Sequence, residues 1–585
     1  MTIILRPDLI GACVIYENYT APSACAIYEN YSMKADTKHW QVLGKTAKGR
    51  EEIVRILLKN RDLDSSREID EFFNPPNPST FDLKSLGIDP EEIAKGIKRV
   101  KKAIKLKEKI IVYGDYDTDG ICGTAILWET LNALGANVLP YIPRRVEEGY
   151  GLSIKGIDNL LSSKPSLVIT VDHGITARRE IKYAKEKGID VIITDHHQKP
   201  KILPKSCTTV WTDKLSGAGV AWVLARELIK NSQLDNLKIR NYLELVALAT
   251  IADLLPLQKQ NRSLVKFGLL ELNQTQRPGL LALFSQAGLT LGKIGIYEVS
   301  FIIAPRINAS GRIEHALDSL RLLCTNDPKK AKMLAQKLDE INRERQRLTE
   351  EAFLHARSLV QKSQRLIFIS HHSYNEGVIG LVAGRLTEEF WRPAIIVSEG
   401  KIHSKASARS VNGINIIETI RKFEELLVDC GGHPMAAGFT VETTRLAEVK
   451  KRLLETAQKE ITPEKLEKTL KIDCEVTLDD INWALYEGLL KFEPFGQGNP
   501  EPVFLTRNVK IKDVRLVGND GKHLKLLVEP PQQNSTLFSA IGFGLGNWSQ
   551  KLKVGEQIDL VYILLVDSWN GEERLQLKIK DLRLF

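Results

Sequence analysis

The chain has 585 residues, 43% of them hydrophobic and 26% charged, with a formal net charge of +9; this is too long for one hydrophobic core and implies three or four domains. No run of eighteen apolar residues occurs, which excludes an ordinary membrane-spanning helix. Seven cysteines with no CxxC pair exclude a disulfide framework and a zinc ribbon, and fit a reducing cytosol. The basic excess suggests a polyanionic substrate, with plain solubility as the alternative.

Near the start, Ala12–Tyr19 recurs almost unchanged as Ala24–Tyr31. No basic region precedes a long apolar core, so this is not a signal peptide. Residues 1–33 are expected to be a leader, disordered or mis-started, with Met33 as the true beginning. Residues 34–108 read as mainly helical, broken at Asn74–Pro78. Ile110–Tyr113, Leu167–Val171 and Val191–Thr194 are apolar, β-branched runs of the kind buried in a parallel sheet. Ile121–Leu134 reads as a helix closed by Gly135, and the alternation continues to about residue 200 with the βαβ rhythm of a doubly wound sheet. Asp327–Lys362 reads as one helix of about 35 residues, roughly 50 Å long, bridging two lobes. Arg365–Ser370 and Pro393–Val397 read as strands, and Gly377–Arg385 as a helix start, so the second lobe is again α/β. After about residue 460 come short alternating runs: Val509–Val517, His523–Val528, Ile558–Val566 and Leu575–Ile579. They indicate a small β-barrel or sandwich, in which Phe543, Tyr562 and Trp569 either stack on bases or pack the core.

Each of the three apolar runs ends in acid or histidine: Asp115, Asp117 and Asp119; Asp172 and His173; Asp195, His196 and His197. The carboxyl ends of strands in an open α/β sheet are where ligands gather. Asp117 and Asp119 are two apart and share a face in extended geometry; Asp115 has the same parity, as a ligand or as support. Asp172 comes from another strand and could bridge two ions. His196 and His197 cannot easily face one ion together, so one is assigned to metal and the other to substrate phosphate. His173 reads as a supporting hydrogen-bond partner. Asp253 follows a further apolar run, Leu245–Ala252. Mixed Asp/His ligation suits Mn²⁺ or Mg²⁺, and two such ions about 3.5–4 Å apart can drive an in-line displacement at phosphorus. Taken singly, each acid could equally be a turn or helix-cap residue.

Two further runs point to phosphate. One is Ala304–Arg312, with Arg306, Asn308 and Arg312 among small residues. The other is Lys405–Ser410 with Gly431, Gly432 and His433 downstream, where small residues would let phosphate approach backbone N–H groups. Arg144, with Arg145 beside it, could reach the mouth of the crevice. Each has a plain structural alternative in salt bridges, tight turns or solvation.

The runs Gly114–Gly120, Val171–Gly174 and Asp195–His197 resemble the DHH phosphoesterase superfamily. Glu148–Leu152, Leu215–Ala221, Pro305–Arg312, Gly377–Arg385, Gly431–Gly438 and Pro494–Pro500 narrow the resemblance to the RecJ exonuclease family, from about residue 40 onward. It implies an α/β fold of two lobes, a DHH domain with a doubly wound parallel sheet and a DHHA1 domain, joined by a long helix, plus a C-terminal OB-like β-barrel. The expected domains are N-terminal helices with the DHH domain at 34–325, the connecting helix at 326–362, DHHA1 at 363–460 and the OB domain at 461–585. The implied activity is 5′-to-3′ release of mononucleotides from single-stranded DNA in repair and recombination, dependent on Mn²⁺ or Mg²⁺. By resemblance Asp117, Asp119, Asp172, His196 and Asp253 are metal ligands and His197 meets the scissile phosphate. Ser407 and Arg409 match contacts to the 5′ phosphate, with contributions from Arg306 and Arg144. The implied state is a cytoplasmic monomer, with a single-strand-binding protein or a helicase as partner. Tyr113 stands where several members of the superfamily carry a metal-binding histidine, which implies a second ion held by fewer protein groups. The other readings are a DHH phosphodiesterase of short oligonucleotides or cyclic dinucleotides, and a DNA-binding scaffold without catalysis.

Overall fold

The computed structural model describes residues 38–230, 242–361, 363–518, 520–530, 536–569 and 572–584. The expected leader at 1–33 lies outside the described residues, as does the side chain of Trp569. The chain falls into two units: Asp64–Arg343 with Lys491–Glu501, and the segment ending at Leu63 with Glu344–Leu490 and Pro502–Phe585.

Strand β1 (His39–Val42) pairs in parallel with Thr469–Ile472. The expected helical stretch to residue 108 is therefore interrupted at its start. A four-residue strand whose partner, Thr469–Ile472, is remote in sequence leaves no local periodicity to read.

The first-named unit is built on five parallel strands: β2 (Lys109–Gly114), β3 (Asn137–Tyr141), β4 (Leu167–Val171), β5 (Asp190–Asp195) and β6 (Thr208–Trp211), in the order β3-β2-β4-β5-β6. Every residue of β4 is buried, which is why these runs are continuously apolar rather than alternating. The chain leaves β2 toward β3 on one side and returns to β4 on the other, so the carboxyl ends of β2 and β4 flank the topological switch point. On one face Ile126, Trp222 and Leu248 belong to the main core; on the other Ile111, Ile157, Ile181 and Ile193 form a second cluster. Helix Leu243–Ala252 is apolar on almost every side and correspondingly buried. Arg277 ties it to helix Thr118–Ala133, reaching Glu244 Oε1 from Nε at 2.8 Å and Glu129 Oε1 from Nη1 at 2.6 Å. Helix Ala304–Ile313 follows a π-turn at Glu298–Ile303.

A helix of 31 residues, Pro328–Ser358, runs from this unit into the other. The sheet beyond it has strands β7 (Ile367–His371), β8 (Ala394–Ser398), β9 (His403–Arg409), β10 (Asp429–His433) and β11 (Ala436–Glu442), in the order β10-β11-β9-β8-β7. After β12 (Thr469–Ile472) and β13 (Cys474–Glu475) come β14 (Phe504–Val517), β15 (His523–Glu529), β16 (Phe538–Gly542), β17 (Gln557–Trp569) and β18 (Glu572–Leu584). They run in the order β14-β15-β16-β18-β17, with β13 added alongside the start of β14, and β17 pairs back on β14, closing the five strands into a barrel. Tyr562 is core rather than a stacking platform: it is 0% exposed and its hydroxyl meets Thr506 Oγ1 at 2.7 Å. Phe543 is half-buried, edge-on to His523.

Gly114 ends β2 where a Cβ would lie 1.9 Å from Thr124 Oγ1 and 2.9 Å from Ile142 Cδ1. Gly114→Ala should therefore destabilise the protein by about 1–3 kcal/mol, the usual cost of overpacking, read as a lower urea midpoint at unchanged slope.

Candidate metal centre

The acid loop is folded by its own caps. Asp117 Oδ1 accepts from Gly120 N at 3.0 Å and starts helix Thr118–Ala133. Asn308, on helix Ala304–Ile313, takes the amide and hydroxyl of Thr118 at 2.7 and 2.8 Å. Asp119 lies at the start of another helix, accepting from Gly217 N at 2.7 Å and Ala218 N at 2.6 Å, where the N-terminal dipole favours a carboxylate. Asp172 sits just past β4 in the left-handed region at φ 67, an unfavourable backbone for a non-glycine residue. Gly217 makes its placement possible, since a Cβ there would lie 2.5 Å from Asp172 Cβ.

His196 Nε2 is the meeting point, 3.1 Å from Asp172 Oδ1, 3.6 Å from Asp253 Oδ2 and 3.7 Å from Asp119 Oδ2. Among the described residues three groups have donor atoms close enough to hold an ion: Asp119–His196–Asp253, Asp115–Asp117–Asp172 and Asp172–His196–His197. Asp115 thus stands among the candidate ligands. Tyr113 does not: its ring is fully buried with Ile111 and Leu152, and its hydroxyl donates to the Gly151 carbonyl at 3.3 Å. The second position is framed by three carboxylates instead.

The electrostatics call for cations. Burial first, then the neighbouring carboxylates, push Asp115, Asp119, Asp172 and Asp253 above the ordinary carboxylate range. Among the described residues Asp115 Oδ1 is buried with no hydrogen-bond partner, and Asp172 Oδ1 has only the His196 imidazole beside it at 3.1 Å, an expensive arrangement for two carboxylates. An oxygen-rich donor set with one imidazole fits Mn²⁺ or Mg²⁺.

Asp195 is the residue whose role the sequence left unassigned. Its Oδ1 accepts from the His196 and His197 amides at 2.7 and 3.0 Å and meets His197 Nδ1 at 2.8 Å, while Oδ2 accepts from Ile175 N at 2.9 Å. Burial opposes a charge on His197, but the Asp195 bond outweighs it and raises its pKa to about 9. His197 Nε2 faces the other way, 3.1 Å from the Tyr150 hydroxyl. His173 is buried with Nε2 3.0 Å from the Tyr113 carbonyl, and desolvation lowers its pKa to about 4; it props the end of β2.

The remaining candidates are more dispersed. Arg306 is held by Asp339, with Nε and Nη2 each 3.0 Å from Oδ1. Asn308 is occupied by Thr118. Gly311, next to Arg312, packs where a Cβ would meet the Tyr116 carbonyl at 2.5 Å. Arg144 is exposed, 3.9 Å from Glu147, whereas Arg145 lies 5.2 Å from the Tyr116 ring centre. Ser407, Arg409 and His433 belong to the other unit. The expected backbone nest at Lys405–Ser410 is not formed, because β9 lies between β8 and β11 and its amides serve the sheet. Ser407 and Arg409 instead share one face, with Arg409 Nη1 3.4 Å from Ser407 Oγ. His433 lies two strands across in register through Ala436.

A doubly wound sheet with carboxylates and an imidazole converging at its switch point defines a metal-dependent phosphoesterase of the DHH class. The comparisons agree: residues 109–250 match the DHH family N-terminal domain, 362–462 the DHHA1 domain and 472–581 the RecJ OB domain. The RecJ exonuclease of Bacillus subtilis is 36% identical over 548 residues, 90% of this chain and 67% of that protein. The crystal structure of Thermus thermophilus RecJ with Mn²⁺ superposes with a TM-score of 0.78 at 29% identity, covering 93% of this chain and 79% of that one. The Mg²⁺ complex gives 0.73 at 28%, covering 94% and 79%. The chain belongs to the RecJ family of single-stranded-DNA-specific exonucleases.

Mn²⁺ added to metal-free protein should raise its melting temperature, because the cation relieves repulsion among buried carboxylates. The rise should be clearly smaller in Asp172→Asn, measured by differential scanning fluorimetry with and without chelator.

Proposed function

We propose that Asp115, Asp117, Asp119, Asp172, His196 and Asp253 hold two divalent cations, and that this centre removes mononucleotides one at a time from the 5′ end of single-stranded DNA. The carrying observation is that Asp172 belongs both to the all-carboxylate group and to a group containing His196, as a bridging ligand must. The protein is a metal-dependent exonuclease acting on single-stranded DNA with Mn²⁺ or Mg²⁺. The closed C-terminal barrel, matched as a RecJ OB domain, supports a strand substrate over a dinucleotide, which would need no such module.

Bound at these positions, the two ions would lower the pKa of a water and neutralise the charge gathering on the phosphate during in-line displacement. The protein's part is to hold and orient. Gly217 and Ala218 fix both oxygens of Asp119, so that carboxylate is aimed before any ion arrives. Asp195 locks His197 through Nδ1 and leaves Nε2 as the atom that meets an oxygen of the scissile phosphate. Tyr150, donating to the Asp172 carbonyl at 3.2 Å, steadies the same edge.

Ser407 and Arg409, on one face of β9, receive the terminal 5′ phosphate, with His433 on the same row of the sheet. A guanidinium beside a hydroxyl suits a dianionic end group. Five described cysteines are free thiols, and no described helix is long and apolar enough to cross a membrane; both fit a cytoplasmic protein. We carry the monomeric state and a single-strand-binding protein or helicase partner as parts of the same reading.

Asp172→Ala should abolish hydrolysis while leaving strand binding largely intact; turnover in that variant, followed by product analysis on 5′- and 3′-labelled strands with Mn²⁺, Mg²⁺ or chelator, would refute the assignment. Arg409→Ala should mainly raise KM for 5′-phosphorylated ends. An unchanged preference between phosphorylated and hydroxyl ends would remove that residue from the phosphate site.

A further inference from the structure

The run Pro494–Pro500 (PFGQGNP) takes no part in the site as described. Its flanking residues belong to the unit that contains the barrel, yet Lys491–Glu501 packs with the unit that contains the metal centre. Arg262, 1% exposed, fastens one end. It donates to the Phe492 carbonyl from Nη1 at 2.9 Å, to the Glu493 carbonyl from Nη2 at 2.7 Å and to the Phe72 carbonyl from Nε at 2.7 Å. Asn499, 0% exposed, closes the loop on itself. Its Nδ2 donates to the carbonyls of Phe492 and Pro494 at 2.8 and 2.9 Å, and its backbone exchanges hydrogen bonds with Gly496 at 2.9 and 3.1 Å.

Two carbonyls of the closed loop then face its neighbour. Leu257 N donates to Gln497 O at 2.7 Å, and Gln258 Nε2 donates to Gly498 O at 2.8 Å. The approach is close: a Cβ on Gly498, which has φ +73, would lie 3.0 Å from Pro256 Cβ, and one on Gly496 would lie 2.7 Å from Leu257 Cδ1.

Pro256, Leu257 and Gln258 follow almost directly on Asp253. That ligand differs from the others in its group. It ends helix Leu243–Ala252 instead of a strand, and its side chain is 35% exposed against 1% for Asp119. Beyond it, Leu254 is at φ 56 and 69% exposed, and Lys259 is at φ 46. Bulky residues keep such backbone angles only where their surroundings impose them. The loop between the two is clamped at Leu257 and Gln258 by the 491–501 segment, and on the following helix Arg262 grips the same segment.

We infer that residues 491–501 act as a strap that positions Asp253 for its cation, with Gly498 and Asn499 as positioning residues of the metal centre. This rests on the two-cation reading above. In the full-length protein, Gly498→Ala presses on Pro256 and should raise the Mn²⁺ concentration for half-maximal activity about ten-fold, the scale on which supporting groups act on a metal site. The rate at saturating Mn²⁺ should recover, and Mn²⁺ binding by calorimetry should weaken in parallel. Gln258→Ala, at an exposed side chain, should shift both quantities in the same direction by less, and it decides the matter if Gly498→Ala does not fold. In an Asp253→Asn background neither change should weaken Mn²⁺ binding further. Unchanged Mn²⁺ half-saturation in the single variants, or fully additive losses in the Asp253→Asn background, would overturn the strap's role. Undiminished Mn²⁺ binding by Asp253→Asn alone would overturn the metal-centre reading instead.

Discussion

The site depends on repulsion that the protein does not relieve by itself. Asp115, Asp119 and Asp172 are almost wholly buried, close enough to share ions, and among the described residues Asp115 Oδ1 accepts no hydrogen bond. A fold accepts such a cluster only when something of opposite charge completes it. The surrounding architecture serves that arrangement: the switch point brings two strand ends together, a helix N-terminus holds Asp119, and the absence of a side chain at Gly217 lets Asp172 take its place.

Asp195 shows how much of the site lies one step behind the ligands. It anchors both histidine amides and orients one imidazole, so the two adjacent histidines face different tasks from one strand end. Both rings stand beside one carboxylate oxygen, Asp172 Oδ1. The Asp195 carboxylate between sheet and histidines separates their tasks by fixing His197 through Nδ1 while His196 Nε2 turns to the acids. Metal sites commonly divide labour in this way between donors and the groups that aim them.

What the sequence made legible followed physical periodicity. Runs buried on both faces, ending in acids, located the strands and the centre. The same double burial hid the direction of Tyr113, because a strand with apolar residues on both faces carries no alternation to distinguish them. The small residues of Lys405–Ser410 suggested backbone N–H groups open to phosphate, whereas most of the run forms a strand between two others whose amides serve the sheet. β1 and β16 were too short for a periodic signal. The contacts of Asn308 and Arg262 join residues distant in sequence, and composition does not encode those.

The all-carboxylate group and the group with Asp253 would offer a cation different chemistry. Asp115, Asp117 and Asp172 offer only oxygen, whereas the group of Asp119 and Asp253 includes the nitrogen of His196. Harder ions accept an all-oxygen seat readily, and an imidazole moves preference toward later transition metals. Mg²⁺ and Mn²⁺ should therefore not compete evenly for the two groups.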